Sequence, residues 1–200
     1  MTILALDTTS ESGSLAIRSN GQTVAQLAIH SPEGFAHLLF GAIGQILRNA
    51  GLELNDIDCF AAASGPGSFT GVRVGLSAVK GLAEATGKQA LGVSNLRAVS
   101  SFGKKPLRAV VIDARRGEVY AAVYDSDLNL LVPESVSKLE QWRASLPPAD
   151  YEFVQAPQSL AAAVAFCAEM DLLAGKAADP AALDANYVRR SDAELFWKDS

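Results

Sequence analysis

Hydrophobic and polar positions alternate along this chain with periods that change every few residues. ILALD (3–7) is an apolar run closing on Asp7. SGSLAIR (12–18) and VAQLAIH (24–30) alternate, and Asn20-Gly21 between them is a hairpin signal. This pattern predicts three antiparallel strands at the start of the fold. From Pro32 a helical pattern runs to about Ala50 and stops at Gly51. CFAAAS (59–64) then reads as a short buried strand, a second helix runs from about Thr70 to Thr86, and QALGV (89–93) is the next strand. Strands alternating with helices imply a sheet covered by helices. Around SFGKKPLR (101–108) polarity rises and a proline appears, which divides the chain into an N-terminal lobe, 1–103, and a smaller C-terminal lobe, 104–200.

Beyond that boundary the opening plan recurs. RAVVIDARRGEVYAAVY (108–124) repeats an apolar strand, a terminal aspartate, a tight polar turn and an alternating strand. Duplicated lobes of this kind resemble the actin-like ATPase (ASKHA, ribonuclease H-like) fold, an α/β architecture of two lobes whose mixed sheets are flanked by helices. The resemblance implies that Asp7 and Asp113 occupy the phosphate-facing hairpins. Turn hydrogen bonds account for Asp7 as well as a phosphate role does, and for Asp113 better. At Asp113 the neighbouring Arg115 and Arg116 are bulky where a phosphate loop needs close backbone approach.

Composition narrows the chemistry. The chain has 200 residues, 49% of them hydrophobic, enough for a packed core. A net charge of −5 argues against holding a polyanion unaided, with basic pairs only at Lys104-Lys105, Arg115-Arg116 and Arg189-Arg190. MTILALDTTSES has neither a basic leader nor a long apolar span, so a cytoplasmic protein with no membrane segment is expected. Cys59 and Cys167 lie in separate apolar stretches and read as small core residues.

The densest stretch is AASGPGSFTGVRVGLSAVKG (62–81). It matches neither phosphate-loop order, since no lysine follows Gly71 and Lys80 lies well inside the helix. Two readings remain. Free amides at the helix start, capped by Ser68 or Thr70, could receive an anion at Gly67 and Ser68. Alternatively, the turn simply needs positive φ at Gly65 or Gly67.

The string GPGSFTGVRVG, with ILALDTT, VIDARRGEVYAAVY and NYVRR, resembles the TsaB (YeaZ) family over nearly the whole chain. The resemblance implies a non-catalytic subunit of the machinery that makes threonylcarbamoyladenosine in tRNA. Its partners would be the catalytic paralogue TsaD and the ATPase TsaE. TsaD carries a metal-binding histidine pair where this chain has Asn95 and Val99, and valine offers a metal no lone pair. Many relatives have a histidine where this chain has Gly34. His30 and His37 are the only histidines and read as surface residues, so no metal, cofactor or catalytic residue is assigned. ASGPG is no nucleophile elbow, and no base is near its serines.

Helix surfaces carry the last expectation. On the second helix the polar residues Arg73, Ser77, Lys80 and Glu84 form one narrow stripe, while the rest is apolar or small. The first helix is similarly one-sided. Surplus apolar surface on two neighbouring helices predicts a subunit interface at Leu38, Leu39, Ile43, Ile46, Gly71, Val72, Gly75, Leu76 and Val79, with the two glycines lowering the helix profile for a partner helix. The resemblance implies the same face for TsaD, and a homodimer is the alternative pairing for the isolated chain. The acidic charge implies that tRNA is reached only through the complex. A stand-alone actin-like ATPase or phosphotransferase is the competing reading. The short stretch after residue 108 leaves little room for an adenosine-binding half.

Overall fold

A computed structural model describes residues 1–176 and 178–188. The expected opening strands are present as β1 (Thr2–Asp7), β2 (Ser12–Ser19) and β3 (Gln22–His30). Asn20 and Gly21 both take positive φ (51° and 79°), as a two-residue hairpin requires. Next come α1 (Leu39–Ala50), β4 (Cys59–Ala63), α2 (Phe69–Thr86), β5 (Gln89–Val93) and the short α3 (Asn95–Ser100). The sheet order is β3-β2-β1-β4-β5, with β2 antiparallel to its neighbours and β4 and β5 parallel to β1.

A second sheet repeats this plan without a fifth strand. It comprises β6 (Arg108–Asp113), β7 (Val119–Tyr124), β8 (Leu130–Ser137) and β9 (Glu152–Gln155), in the order β8-β7-β6-β9, with β9 parallel to β6. Helix α4 (Leu139–Ser145) links β8 to β9 as α1 links β3 to β4, and α5 (Ala161–Leu173) follows β9 as α2 follows β4. Twice-repeated mixed sheets of this order, flanked by helices, make the fold actin-like.

Side chains on β1 and β4 alternate between two cores, as period-two strands buried on both faces must. Leu4, Leu6, Phe60 and Ala62 face α1 and α2. Ile3, Ala5, Cys59 and Ala61 face the opposite way, into a core shared with α3, α5 and the inner face of the second sheet. A smaller cluster under Trp142 of α4 covers the outer face of that second sheet. Helix α5 is therefore sandwiched between sheets. Its first amides, on Leu160 and Ala161, donate to the buried Ser14 hydroxyl of β2 at 3.2 and 3.0 Å. Arg18 of β2 reaches Glu169 of α5 at 2.6 Å, so a helix from the C-terminal half is fastened to the N-terminal sheet.

Cys59 and Cys167 are free and buried in the shared core, where desolvation pushes their thiols up to about 12 and about 11. His30 and His37 are both exposed. The first helix starts seven residues later than its periodicity suggests. The hydroxyl of Ser31 donates to the Gly34 carbonyl at 2.6 Å and Gly34 takes φ +93°, so 31–38 coils into turns before Leu39.

Candidate partner face and the crevice at the strand ends

In a parallel α/β sheet the carboxyl ends of the strands are where a ligand is expected. Here β1 ends at the buried Asp7, whose Oδ1 accepts from the backbone amide and the hydroxyl of Thr9 at 2.9 and 2.7 Å. Desolvation raises the Asp7 carboxyl above the usual carboxylate range, and the two Thr9 bonds oppose part of that rise. Asn95, at the start of α3, donates to the Thr9 hydroxyl at 2.7 Å and accepts from the Gly65 amide at 3.1 Å. Its own amide donates to the Gly65 carbonyl at 2.7 Å. Asp7, Thr9, Asn95 and Gly65 form one connected polar network.

The glycine-rich turn completes this network. Gly65 is the residue at positive φ, +102°. Gly67 is small for another reason: a β-carbon there would lie 2.7 Å from the Thr9 carbonyl oxygen. That oxygen accepts from the Ser68 amide at 2.7 Å, and the Ser68 hydroxyl caps α2 by accepting from the Gly71 amide at 3.3 Å. Two amides at this helix start, those of Ser68 and Gly71, are thus already paired within the chain. Asn95 is committed to Gly65 and Thr9, and Val99 is fully buried in the core. Among the described residues, no group of three or more His, Cys, Asp or Glu side chains could hold a metal ion.

Asp113 shares with Asp7 the bond from the amide two residues on, but not its burial. It is exposed and accepts from the Arg115 amide at 2.8 Å, where Arg115, Arg116 and Gly117 all take positive φ.

Two features absent from the sequence expectations also bear on this crevice. Glu134 of β8 accepts from the Tyr124 hydroxyl and the Asn186 side-chain amide, each at 2.6 Å, and from the Ser94 hydroxyl. Asn186 also donates its backbone amide to the Ser64 carbonyl at 2.8 Å, so the segment after residue 178 crosses the ends of β4 and β5. Tyr187, next in the chain, stacks on Phe69 of α2 with ring centroids 5.5 Å apart. The NYVRR string held both residues, but their partners lie more than fifty positions away. Arg189 and Arg190 of that string lie outside the described residues.

The predicted partner residues are mostly turned inward. Leu39, Ile43, Ile46, Val72, Leu76 and Val79 pack into the core between α1, α2 and the first sheet, and Leu38 is half-buried. Gly71 and Gly75 face Thr8, so the close approach they permit is to the β1–β2 loop of this same chain. A helix lying on a sheet spends its apolar arc there first. What remains outside is a groove of about 490 Å³ between α1 and α2, lined by Ala36, Phe40, Phe69, Arg73, Val74 and Ser77, with Leu39 and Ala78 in its floor. Phe40 is 62% exposed and Phe69 is 42% exposed.

Comparison with known proteins places this geometry in a family. The family model of the tRNA N6-adenosine threonylcarbamoyltransferase TsaD matches residues 31–172. The Bacillus subtilis tRNA threonylcarbamoyladenosine biosynthesis protein TsaB is 30% identical over 155 residues, covering 75% of this chain and 68% of that protein. The chain belongs to the TsaB (YeaZ) family. Escherichia coli TsaB is 38% identical over 133 residues, and the match spans 64% of this chain and 57% of that protein. The solved structure of YeaZ from Pseudomonas aeruginosa superposes with a TM-score of 0.79 at 26% identity, covering 93% of this chain and all of that one. These TsaB relatives are thus named for a tRNA modification pathway.

Proposed function

We propose that this chain is a non-catalytic partner of a TsaD-type transferase in the synthesis of threonylcarbamoyladenosine in tRNA. The observation carrying this reading is a contrast between two surfaces. The crevice at the strand ends carries the chain's own bonds, from Thr9 to Asp7, from Asn95 to Thr9 and from Asn186 to Glu134, while the apolar groove between α1 and α2 lies open. Phosphotransfer would need a cradle for phosphates, which the paired amides of Ser68 and Gly71 do not offer. The same pairing disfavours the alternative of a lone ATPase.

The partner is argued from kinship. The TsaD family model covers α1 and α2 of this chain, so a TsaD-type protein carries related helices in a related setting. Two copies of one fold pair most readily through like surfaces, and the open α1/α2 face of this chain supports a pseudo-symmetric heterodimer with the related helices of such a partner. Phe40, Phe69 and Val74 supply its apolar centre, with Arg73 on the rim. A homodimer through the same face is the expected state of the chain alone. TsaE joins the larger complex, and tRNA is met only there, because the chain is acidic. The work is cytoplasmic; among the described residues no helix is long and apolar enough to cross a membrane.

The test is reconstitution with the transferase from the same organism. The chain alone should transfer no threonylcarbamoyl group and hold no stoichiometric metal. Adding it to the transferase should produce a 1:1 or higher-order complex on gel filtration and raise the transfer rate. Transfer by the chain alone, or an unchanged rate on mixing, overturns the reading.

A further inference from the structure

We infer that Tyr187 is a positioning residue for the α1/α2 face, held in place by a strap formed by the segment 178–187. This inference rests on the reading that a TsaD-type partner docks on that face. The strap starts at the edge of the first sheet, where the Ala178 carbonyl accepts from the Ala90 amide at 3.1 Å. Asp179 accepts from the Ala181 amide at 2.8 Å and sets a single 3-10 turn at Pro180–Ala182. Leu183 then packs beside Gly92, where a β-carbon would lie 3.3 Å from its methyl group. Asn186 is pinned at both ends, its backbone amide to Ser64 and its side chain to Glu134 of the second sheet.

Such anchoring delivers Tyr187 to one spot. Its hydroxyl accepts from Arg73 Nε at 3.0 Å, and its ring lies against Phe69. The Arg73 guanidinium in turn stacks 3.8 Å from the Phe69 ring centroid. Phe69 and Arg73 are the two residues that belong both to this stack and to the groove wall. A phenylalanine and an arginine on the exposed first turns of a helix would ordinarily sample several rotamers, and a partner would have to select one of them. Here Tyr187 has already selected it. The strap therefore preorganises the groove wall, and because Glu134 belongs to the second sheet, the rim of the partner face is tied to both halves of the fold.

Four proteins distinguish the outcomes: the native chain, Tyr187→Ala, Tyr187→Phe and Asn186→Ala, each titrated calorimetrically against the purified TsaD-type paralogue. Tyr187→Ala should weaken binding about tenfold through lost preorganisation, while Tyr187→Phe, which keeps the ring stack, should stay within about threefold of native. Thermal midpoints should be alike, since Tyr187 is 46% exposed. In the free Ala variant, amide hydrogen exchange over the first turn of α2 should quicken. Asn186→Ala, which frees the strap from Glu134, should reproduce the loss of affinity. Native affinity in Tyr187→Ala, or unchanged exchange there, overturns the inference while leaving the partner reading intact. A native chain that does not bind the paralogue removes both.

Discussion

The carbonyl oxygen of Thr8 lies 2.0 Å from the point that a β-carbon on Gly71 would occupy. One turn on, a β-carbon on Gly75 would meet the Thr8 hydroxyl oxygen at 2.6 Å, and that hydroxyl donates to the Gly71 carbonyl at 2.7 Å. Helix α2 is thus seated on the β1–β2 loop through two glycines, and no side chain fits between them. Gly71→Ala must displace backbone rather than a flexible side-chain tip. It should destabilise the chain by at least about 2 kcal/mol, and Gly75→Leu by more. Urea unfolding measures both; midpoints equal to native would show that the loop yields freely.

Phe40 behaves in the opposite way. It projects from α1 into the groove with most of its surface in water, so Phe40→Asp removes no core contact and should leave the thermal midpoint within about 2 °C of native. On the partner face, however, a buried aromatic anchor exchanged for a carboxylate is costly. Affinity for the TsaD-type partner should fall at least thirtyfold, about 2 kcal/mol. Calorimetry showing native affinity would move the interface off this face.

These two residues mark the limit of what the sequence makes legible. Strand and helix periods carry β1 to β5, α2 and the β6–β7 repeat, because each pattern is local and each strand is buried on both faces or one. The glycine pair was equally visible, but spacing on a helix cannot say whether a small face meets a partner or the chain's own loop. Only the position of Thr8 decides that. The early end of the α1 pattern failed for a similar reason: Phe35 keeps helical spacing although it packs from a turn, beside Gly13. The bonds from Glu134 to Ser94 and Asn186 span 40 and 52 positions, and no local period encodes such a contact. Asp7 and Asp113 look alike in sequence, yet one ends buried and the other exposed, because Thr9 and Asn95 close over the first aspartate.

Burial of Asp7 gives a pH dependence with a definite sign. Its folded-state carboxyl titrates above the unfolded one, so the folded chain binds the proton more tightly. Stability from this group is therefore greatest below the unfolded carboxylate range, declines as pH rises towards the raised folded value, and stays reduced above it. Asp7→Asn keeps an acceptor for both Thr9 bonds and carries no charge. Its thermal midpoint should exceed the native one at pH 7, and the difference should shrink as the pH is lowered into the range where Asp7 protonates. A variant less stable than native at pH 7 would mean that the Thr9 bonds to the carboxylate outweigh its desolvation.

Nucleotide binding tests the crevice itself. An anion using the Ser68 or Gly71 amide at α2 would have to displace the Thr9 carbonyl from the first or the Ser68 hydroxyl from the second, while the Asn186 amide is bonded to the Ser64 carbonyl beside them. On the other lobe, Arg115 and Arg116 hold left-handed backbone at the turn where phosphate would approach. Each displaced bond is one that the chain gives up for one that it gains, so little net affinity is left. ATP should bind the isolated chain with a Kd in the millimolar range, about −4 kcal/mol. With ATP present at a concentration equal to such a Kd, stabilisation is RT ln 2, about 0.4 kcal/mol, which moves the thermal midpoint by no more than about 2 °C. A low-micromolar Kd by calorimetry, with a correspondingly large thermal shift, would show that the network around Asp7 opens for phosphate and would return the lone ATPase to contention.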